Sequence, residues 1–151
     1  MTKWSDVAAD APEFAARVRA VFDSGTNKTM ATLRRDGSPR ISATELKFGD
    51  EVTLGMMPDS LKLRDVLRDG RVAIHSPTIE PPSDGTAWQG DAKLAGVIAR
   101  MSAPEDNEIE GAAFFALDIS EVALTYLGEP ADHLVIESWH PGRGWQRRTR
   151  K

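Results

Sequence analysis

Short runs of alternating apolar and polar residues, separated by tight turns, constrain the fold of this chain more than any other sequence feature. Residues 28–34 are followed by Asp36-Gly37, a dipeptide typical of β-hairpin turns, and then by a second run at 39–48. A further turn at 49–51 leads into a third run at 52–56. Three strands joined by short turns predict an antiparallel meander.

The apolar positions change parity within two of the predicted strands. They switch from odd to even numbers near Thr44-Glu45 in the second strand and near Ser120-Glu121 in a long strand at 114–126. A slip of one residue turns every later side chain to the other face of a sheet. We therefore predict a β-bulge at both places.

The rest of the pattern predicts a mainly β (α+β) fold. Phe14, Val18, Val21 and Phe22 lie on one face of a predicted helix at 10–23, and further strands are predicted at 71–76, 93–101 and 134–139. We expect a six- to seven-stranded antiparallel split β-barrel with flanking helices, because closure removes exposed sheet edges. An open antiparallel sheet is the alternative. The chain of 151 residues fits one domain, with an N-terminal helix in 1–26, the barrel in 27–140 and a basic tail in 141–151.

The stretch from Met56 to Gly70 reads as a strand end, a Pro-Asp turn and a short helix. Asp59 or Ser60 is the predicted N-cap and Gly70 the predicted end. The buried stripe of this helix is expected to consist of Leu63, Val66 and Leu67.

Two cations occupy the start of this predicted helix, where the macrodipole disfavours positive charge. Lys62 and Arg64 lie in or near its first turn, beside free backbone N–H groups and the Ser60 hydroxyl. Such a combination suits a bound anion, most readily a phosphate. The alternative is that both side chains point into water.

Composition excludes several classes of function. The chain has no cysteine, so disulfides and thiolate chemistry are excluded, and its net charge of −4 gives no reason to bind nucleic acid or an anionic membrane. The N-terminal residues do not resemble a signal peptide, and we expect a cytoplasmic protein.

Residues for autonomous catalysis are also lacking. There is no nucleophile elbow, Walker A loop or dinucleotide fingerprint, and His75, His133 and His140 lack metal-ligand spacing. The sequence indicates no catalytic residue. An anion site without a nucleophile or a metal favours chemistry borrowed from a cofactor.

The order of the motifs resembles the pyridoxamine 5′-phosphate oxidase-like family, whose fold is the FMN-binding split β-barrel. Ala-Thr-Leu-x-x-Asp-Gly-x-Pro-Arg at 31–40 resembles the opening hairpin of that family, and Ser-x-Lys at 60–62 resembles its phosphate-binding signature. Asp-Ala-Lys-Leu-Ala-Gly at 91–96 resembles a later strand. The similarity covers roughly residues 27–101, and the later residues do not resemble the substrate-binding tail of the true oxidases.

This resemblance implies a homodimer with two flavin sites at the subunit interface and a small-molecule substrate. Ser60 and Lys62, helped by Arg40 or Arg64, would hold the phosphate, and Trp88 or Trp139 would join Lys93 in reaching across from the partner. The full set of implied cofactor-binding residues is Arg40, Ser42, Thr44, Met56, Met57, Ser60, Lys62, Arg64 and Lys93.

The resemblance implies an FMN-dependent oxidoreductase that passes hydride between the flavin and a small substrate. Four alternatives stay open, one of them a small dimeric barrel that has lost the cofactor altogether. The deazaflavin coenzyme F-420 would replace FMN, with the C-terminal arginines Arg143, Arg147, Arg148 and Arg150 near its anionic tail. Haem would use His133 or His140. A non-catalytic flavin-binding protein would have no specific substrate.

Overall fold

One antiparallel sheet and three α-helices account for the computed structural model, which describes all 151 residues. The helices are α1 (Trp4–Asp10), α2 (Pro12–Phe22) and α3 (Leu61–Arg68), and a 3₁₀ turn covers Gly85–Ala87. The strands are β1 (Lys28–Leu33), β2 (Pro39–Thr44), β3 (Lys47–Phe48), β4 (Val52–Met56), β5 (Arg71–His75), β6 (Asp91–Met101), β7 (Ala113–Leu127), β8 (Leu134–His140) and β9 (Gly144–Arg150). The mainly antiparallel α+β class is confirmed.

The sheet follows the order β2-β1-β5-β6-β7-β4-β3, and β8 and β9 branch from the second half of β7. β4 pairs with the first half of the same long strand. β2 and β4 contact each other without forming a hydrogen-bonded ladder. The path therefore curls into a barrel with a gap between β2 and β4.

Nine strands are present, more than the predicted six to seven. The basic tail is the main correction, because residues 144–150 pair with β8 along their whole length. This strand lies at a sheet edge and is almost entirely exposed, so it lacks the apolar alternation that marks a strand in sequence. The two-residue β3 is the other added strand.

Only one of the two predicted bulges is present. The β6–β7 register jumps from Ala95↔Glu121 to Gly96↔Ile119, which leaves Ser120 as the extra residue and confirms the bulge there. Near Thr44-Glu45 the chain instead leaves β2 and starts β3, so the parity change marks a break between strands.

The helices differ from prediction at their ends. The N-terminal segment forms two helices, because the chain bends at Ala11 before Pro12 starts α2. α3 ends at Arg68, before Gly70, and its Leu67 is 58% exposed rather than buried. The four apolar residues predicted for α2, Phe14, Val18, Val21 and Phe22, are all buried in the main core. The longest helix has 11 residues, and none combines the length and apolar character required to cross a bilayer.

Candidate functional site

A cleft of about 460 Å³ opens at the gap between β2 and β4. Ala43 and Thr44 of β2, Gly55 and Met56 of β4, and Lys62 of α3 line it. Glu45, Met57 and Phe114 complete most of its wall. We call it the Lys62 cleft. Thr44, Met56, Met57 and Lys62 are thus four of the predicted site residues in one place.

Lys62 is held against the open edge of β2. Its Nζ donates a hydrogen bond of 2.6 Å to the Ala43 carbonyl, on a strand that ends the sheet path. Burial lowers the pKa of the Lys62 ammonium below its usual value, and no carboxylate forms an ion pair with it. The ammonium keeps two further N–H donors, so a bound anion would both accept them and favour the charged form.

The turn before α3 places Ser60 at the helix start. Asp59 has a φ of 62°, a left-handed conformation that Asp tolerates better than most residues. Ser60 Oγ accepts a 3.3 Å hydrogen bond from the Leu63 N–H, which confirms Ser60 as the N-cap. Its hydroxyl proton remains available to a ligand.

Ser42, another predicted site residue, lies on β2 next to Ala43 of the cleft wall, but neither Ser42 nor Ser60 lines the Lys62 cleft or the depression beside it. The Oγ of Ser42 is buried and has no hydrogen-bond partner. Ser42 lies between Arg40 and Thr44 on one face of β2, since side chains two apart share a face. An unsatisfied buried hydroxyl costs about 1–3 kcal/mol, a cost that a polar ligand group would remove.

A second depression, of about 490 Å³, lies on the other side of the first turn of α3. We call it the arginine shelf, because five arginines line it together with Asp36, Leu61 and Asp65: Arg34, Arg35, Arg40, Arg64 and Arg68. Arg40 and Arg64 are therefore not in the Lys62 cleft, although sequence placed them beside the same phosphate. No residue lines both depressions.

Asp65 organises the arginine shelf from beneath. It is only 3% exposed and accepts hydrogen bonds from Thr32 Oγ1 at 2.7 Å, Arg40 Nε at 2.8 Å and Arg68 Nη2 at 3.0 Å. Burial raises the pKa of Asp65, but these three donors outweigh burial and leave the pKa below its usual value. The carboxylate stays ionised and fixes two guanidinium groups.

Three other predicted contributors lie elsewhere. Lys93 is exposed on β6 and lines neither depression. The Trp88 indole donates to the Ile79 carbonyl at 3.0 Å, which anchors its own loop. Trp139 is 5% exposed and donates to Asp10 Oδ2 at 2.7 Å, so its side chain is buried in its own chain and does not reach a site in a partner.

No histidine and no C-terminal arginine lines either depression. His133 Nδ1 lies 2.8 Å from Asp132, and His140 Nε2 lies 2.8 Å from Glu121. The structure has no group of three or more potential metal ligands.

Sequence reasoning missed Thr32 and Asp65 at the shelf and Phe114 in the cleft. Thr32 had an available signal, since it pairs directly with Arg40 across the Asp36-Gly37 hairpin and so shares its face. Phe114 had none, because it lies far along the chain from β4, with which its strand pairs.

Comparison with known proteins gives matches in structure alone. Neither the protein-family models nor the curated sequences contain a match. The fold is similar to that of PhzG from Burkholderia lata, solved with tetrahydrophenazine-1-carboxylic acid, with a TM-score of 0.68 and 10% identity over 98% of this chain and 95% of that one. A pyridoxamine 5′-phosphate oxidase-related, FMN-binding protein from Nostoc punctiforme gives 0.64 and 11% identity over 93% and 96%.

The chain has the fold of the pyridoxamine 5′-phosphate oxidase-related proteins. The fold-level resemblance predicted from the hairpin and the Ser-x-Lys motif is thereby confirmed. Proteins with other ligands share this fold, among them a haem-binding protein from Mycobacterium smegmatis, at a TM-score of 0.57 and 16% identity over 88% of this chain and 86% of that one. The fold alone therefore leaves the ligand to be argued from the site.

Proposed function

We propose that the Lys62 cleft binds FMN and that the protein is a flavin-dependent oxidoreductase. The observation that carries this proposal is the half-buried Lys62 ammonium, which faces the cleft without an ion-pair partner. The buried Ser42 hydroxyl, which has no hydrogen-bond partner, lies on the strand that supplies Ala43 and Thr44 to the cleft wall. The Nostoc punctiforme protein with the same fold is an FMN-binding protein.

The residues of the cleft suit the two parts of FMN. Lys62, with Ser60 from the N-cap of the same helix, would hold the phosphate, while Thr44, Met56 and Met57 of the cleft would lie along the ring system. Gly55 leaves room for the Phe114 ring in this wall, since a Cβ at position 55 would come 2.9 Å from that ring. Bound flavin would supply hydride transfer, and the chain would supply position, an apolar wall and fixed charge.

FMN is favoured over the two other cofactors by where particular side chains lie. Haem iron in proteins is commonly held by an axial histidine, and no histidine lines the Lys62 cleft. A deazaflavin was expected to use the C-terminal arginines, but these lie on β9 or in the turn before it and line neither depression.

The test of the flavin site is titration of FMN by isothermal calorimetry, with Lys62→Ala compared with the wild type. We expect Lys62→Ala to weaken binding by roughly 1.5–3 kcal/mol, or about 10- to 150-fold, the scale of a charge-assisted hydrogen bond. Lys47→Ala is the matched control, because Lys47 is exposed on neighbouring β3 and does not line the cleft. Equal affinity of Lys62→Ala and the control would contradict the placement of the phosphate.

Catalysis requires a separate readout. We expect the absorbance of bound FMN to bleach when NADH or NADPH is added without oxygen, and to return when air is admitted. If the bound flavin stays oxidised with every donor, the protein binds flavin without using it in catalysis, and the oxidoreductase proposal is wrong.

We also propose that a second copy of the chain covers the outer face of the sheet. Ile41, at 73% exposed, lies beside Ala31, which lies beside Ala73, and Ala73 lies beside Ala95. Val97 adds a further apolar side chain, 48% exposed, on the same face. Large exposed apolar residues beside a row of small apolar ones are typical of a self-association face. Ala43 lies on this face and in the cleft, so a partner there would adjoin the flavin site.

Ile41→Asp tests this interface. A charge buried without a partner is expected to cost about 3 kcal/mol, so the dissociation constant of the dimer should rise roughly hundredfold. Light scattering coupled to gel filtration measures the change. Leu67→Asp is the control, since Leu67 is similarly exposed but lies on α3. A wild-type monomer at micromolar concentration would contradict the proposal.

A further inference from the structure

The arginine shelf has features of a ligand site in its own right. We infer that it binds two linked phosphate groups, the chemistry shared by nucleoside diphosphates and dinucleotides, at a site separate from the Lys62 cleft. The inference goes beyond the flavin proposal and stands whether or not the cleft binds FMN.

Charge is the first argument. Five arginines line the shelf against two carboxylates, Asp36 and Asp65, and Leu61 is the single apolar residue in its wall. A surplus of three positive charges in one depression is unfavourable without an anion. One phosphate carries a charge of at most about −2, whereas two linked phosphates match the surplus more closely.

The arrangement of donors is the second argument. Asp65 engages Arg40 through Nε and Arg68 through Nη2, which leaves further N–H groups of both guanidinium groups available. Because Asp65 is buried and ionised, these two arginines are fixed before any ligand arrives. Guanidinium groups pair with phosphate oxygens through two parallel hydrogen bonds, and orientation in advance lowers the entropic cost of binding.

The unengaged arginines are the third argument. The side chains of Arg35, from the β1–β2 hairpin, and Arg64, from α3, make no hydrogen bond or ion pair within the chain. With Arg40 on β2, the shelf therefore offers donors from a turn, a strand and a helix. Its volume of about 490 Å³ accommodates more than one phosphate group.

Calorimetric titration of inorganic pyrophosphate into the full chain tests the inference. We expect pyrophosphate to bind at least tenfold more tightly than orthophosphate. Arg35→Ala and Arg64→Ala should each lower the affinity for pyrophosphate at least tenfold. Arg64→Lys should recover part of the loss, since it keeps the charge without the planar fork. Arg148→Ala on exposed β9 is the control and should change affinity by less than twofold.

Separation of the two sites is measured on the same protein. Saturating FMN should leave the pyrophosphate affinity within twofold, and Arg35→Ala should leave the FMN affinity within twofold. If FMN does not bind but the affinity for pyrophosphate still depends on Arg35, the flavin proposal fails and this inference holds. Competition between FMN and pyrophosphate, or pyrophosphate binding as weak as orthophosphate binding, would overturn it.

Two further titrations distinguish the sources of the diphosphate. ADP that binds as tightly as NADPH would identify a nucleoside diphosphate site. NADPH that binds at least tenfold more tightly than ADP, and that loses this affinity in Arg64→Ala, would identify a dinucleotide site at the shelf, and both results support the inference. An ADP affinity unaffected by Arg64→Ala would contradict it.

Discussion

Gly96→Ala is expected to destabilise the protein by about 3 kcal/mol or more, although it adds a single methyl group. Gly96 lies on β6 opposite the bulge of β7, where a Cβ would overlap the backbone carbonyl oxygen of Asp118. Backbone in the centre of a sheet cannot move aside without breaking ladder hydrogen bonds. The methyl group therefore has to be accommodated by shifting the longest strand pair of the molecule.

The measurement is thermal and urea unfolding followed by circular dichroism. For a chain of this size, a loss of about 3 kcal/mol corresponds to a fall in Tm of roughly 6–12 °C. Gly49→Ala is the matched control, because the nearest atom to a Cβ there, the Glu51 carbonyl oxygen, is 3.9 Å away. Equal stability of the two variants would show that the bulge relaxes easily.

This bulge also shows what a sequence can reveal about such a fold. Side chains on a strand alternate with a period of two, so a change of parity near Ser120 reports an extra residue directly. The same periodicity predicted β4 at residues 52–56, and the residue types before α3 predicted an N-cap at Asp59 or Ser60, which the structure places at Ser60. These features depend on residues that are close together in the chain, so a short stretch of sequence is enough to predict them.

The site was predictable only in part, for the opposite reason. The Ser-x-Lys motif located Lys62, and the cleft does collect Thr44, Met56 and Met57 around it. The sequence did not reveal that α3 separates Lys62 from Arg40 and Arg64, since this depends on how the helix sits over β2. The sequence also did not reveal β9, because this strand has few apolar residues and forms through its hydrogen-bonded pairing with β8.

Long-range contacts of charged residues were the least accessible to sequence reasoning, and Glu137 is the clearest case. Glu137 is 1% exposed in β8, where it accepts two 2.6 Å hydrogen bonds from Arg17, 120 positions earlier in the chain. Tyr126 donates at 2.5 Å and Trp145 at 2.8 Å. This network joins α2, β7, β8 and β9.

This network predicts how the free energy of unfolding depends on pH. Burial raises the pKa of Glu137, but the donors from Arg17, Tyr126 and Trp145 outweigh burial and hold the pKa below its usual value. A carboxyl whose pKa is lower in the folded state stabilises the protein above the pKa of the unfolded chain. That stabilisation is lost as the pH falls through the folded-state pKa, so the wild type should lose stability in acid below about pH 4.5.

Arg17→Met is expected to cost about 3 kcal/mol of unfolding free energy at pH 7, because it leaves a buried carboxylate without its cation. The value lies at the low end for such pairs, since the Arg17 side chain is 47% exposed and water can replace part of it. The pKa of Glu137 should rise in this variant. Protonation then relieves the unpaired charge, and the deficit relative to wild type should be smaller at pH 5 than at pH 7.

Urea unfolding of four proteins at both pH values measures the effect. Arg19→Met, on the same helix, removes an exposed ion pair with Asp23 and should cost only about 0.5 kcal/mol at either pH. Arg17→Met combined with Glu137→Leu should recover much of the lost stability, because removing both members of a buried pair leaves no unpaired charge. If Arg17→Met is as mild as Arg19→Met, or if its deficit does not change with pH, the carboxylate of Glu137 does not depend on Arg17 for its charge.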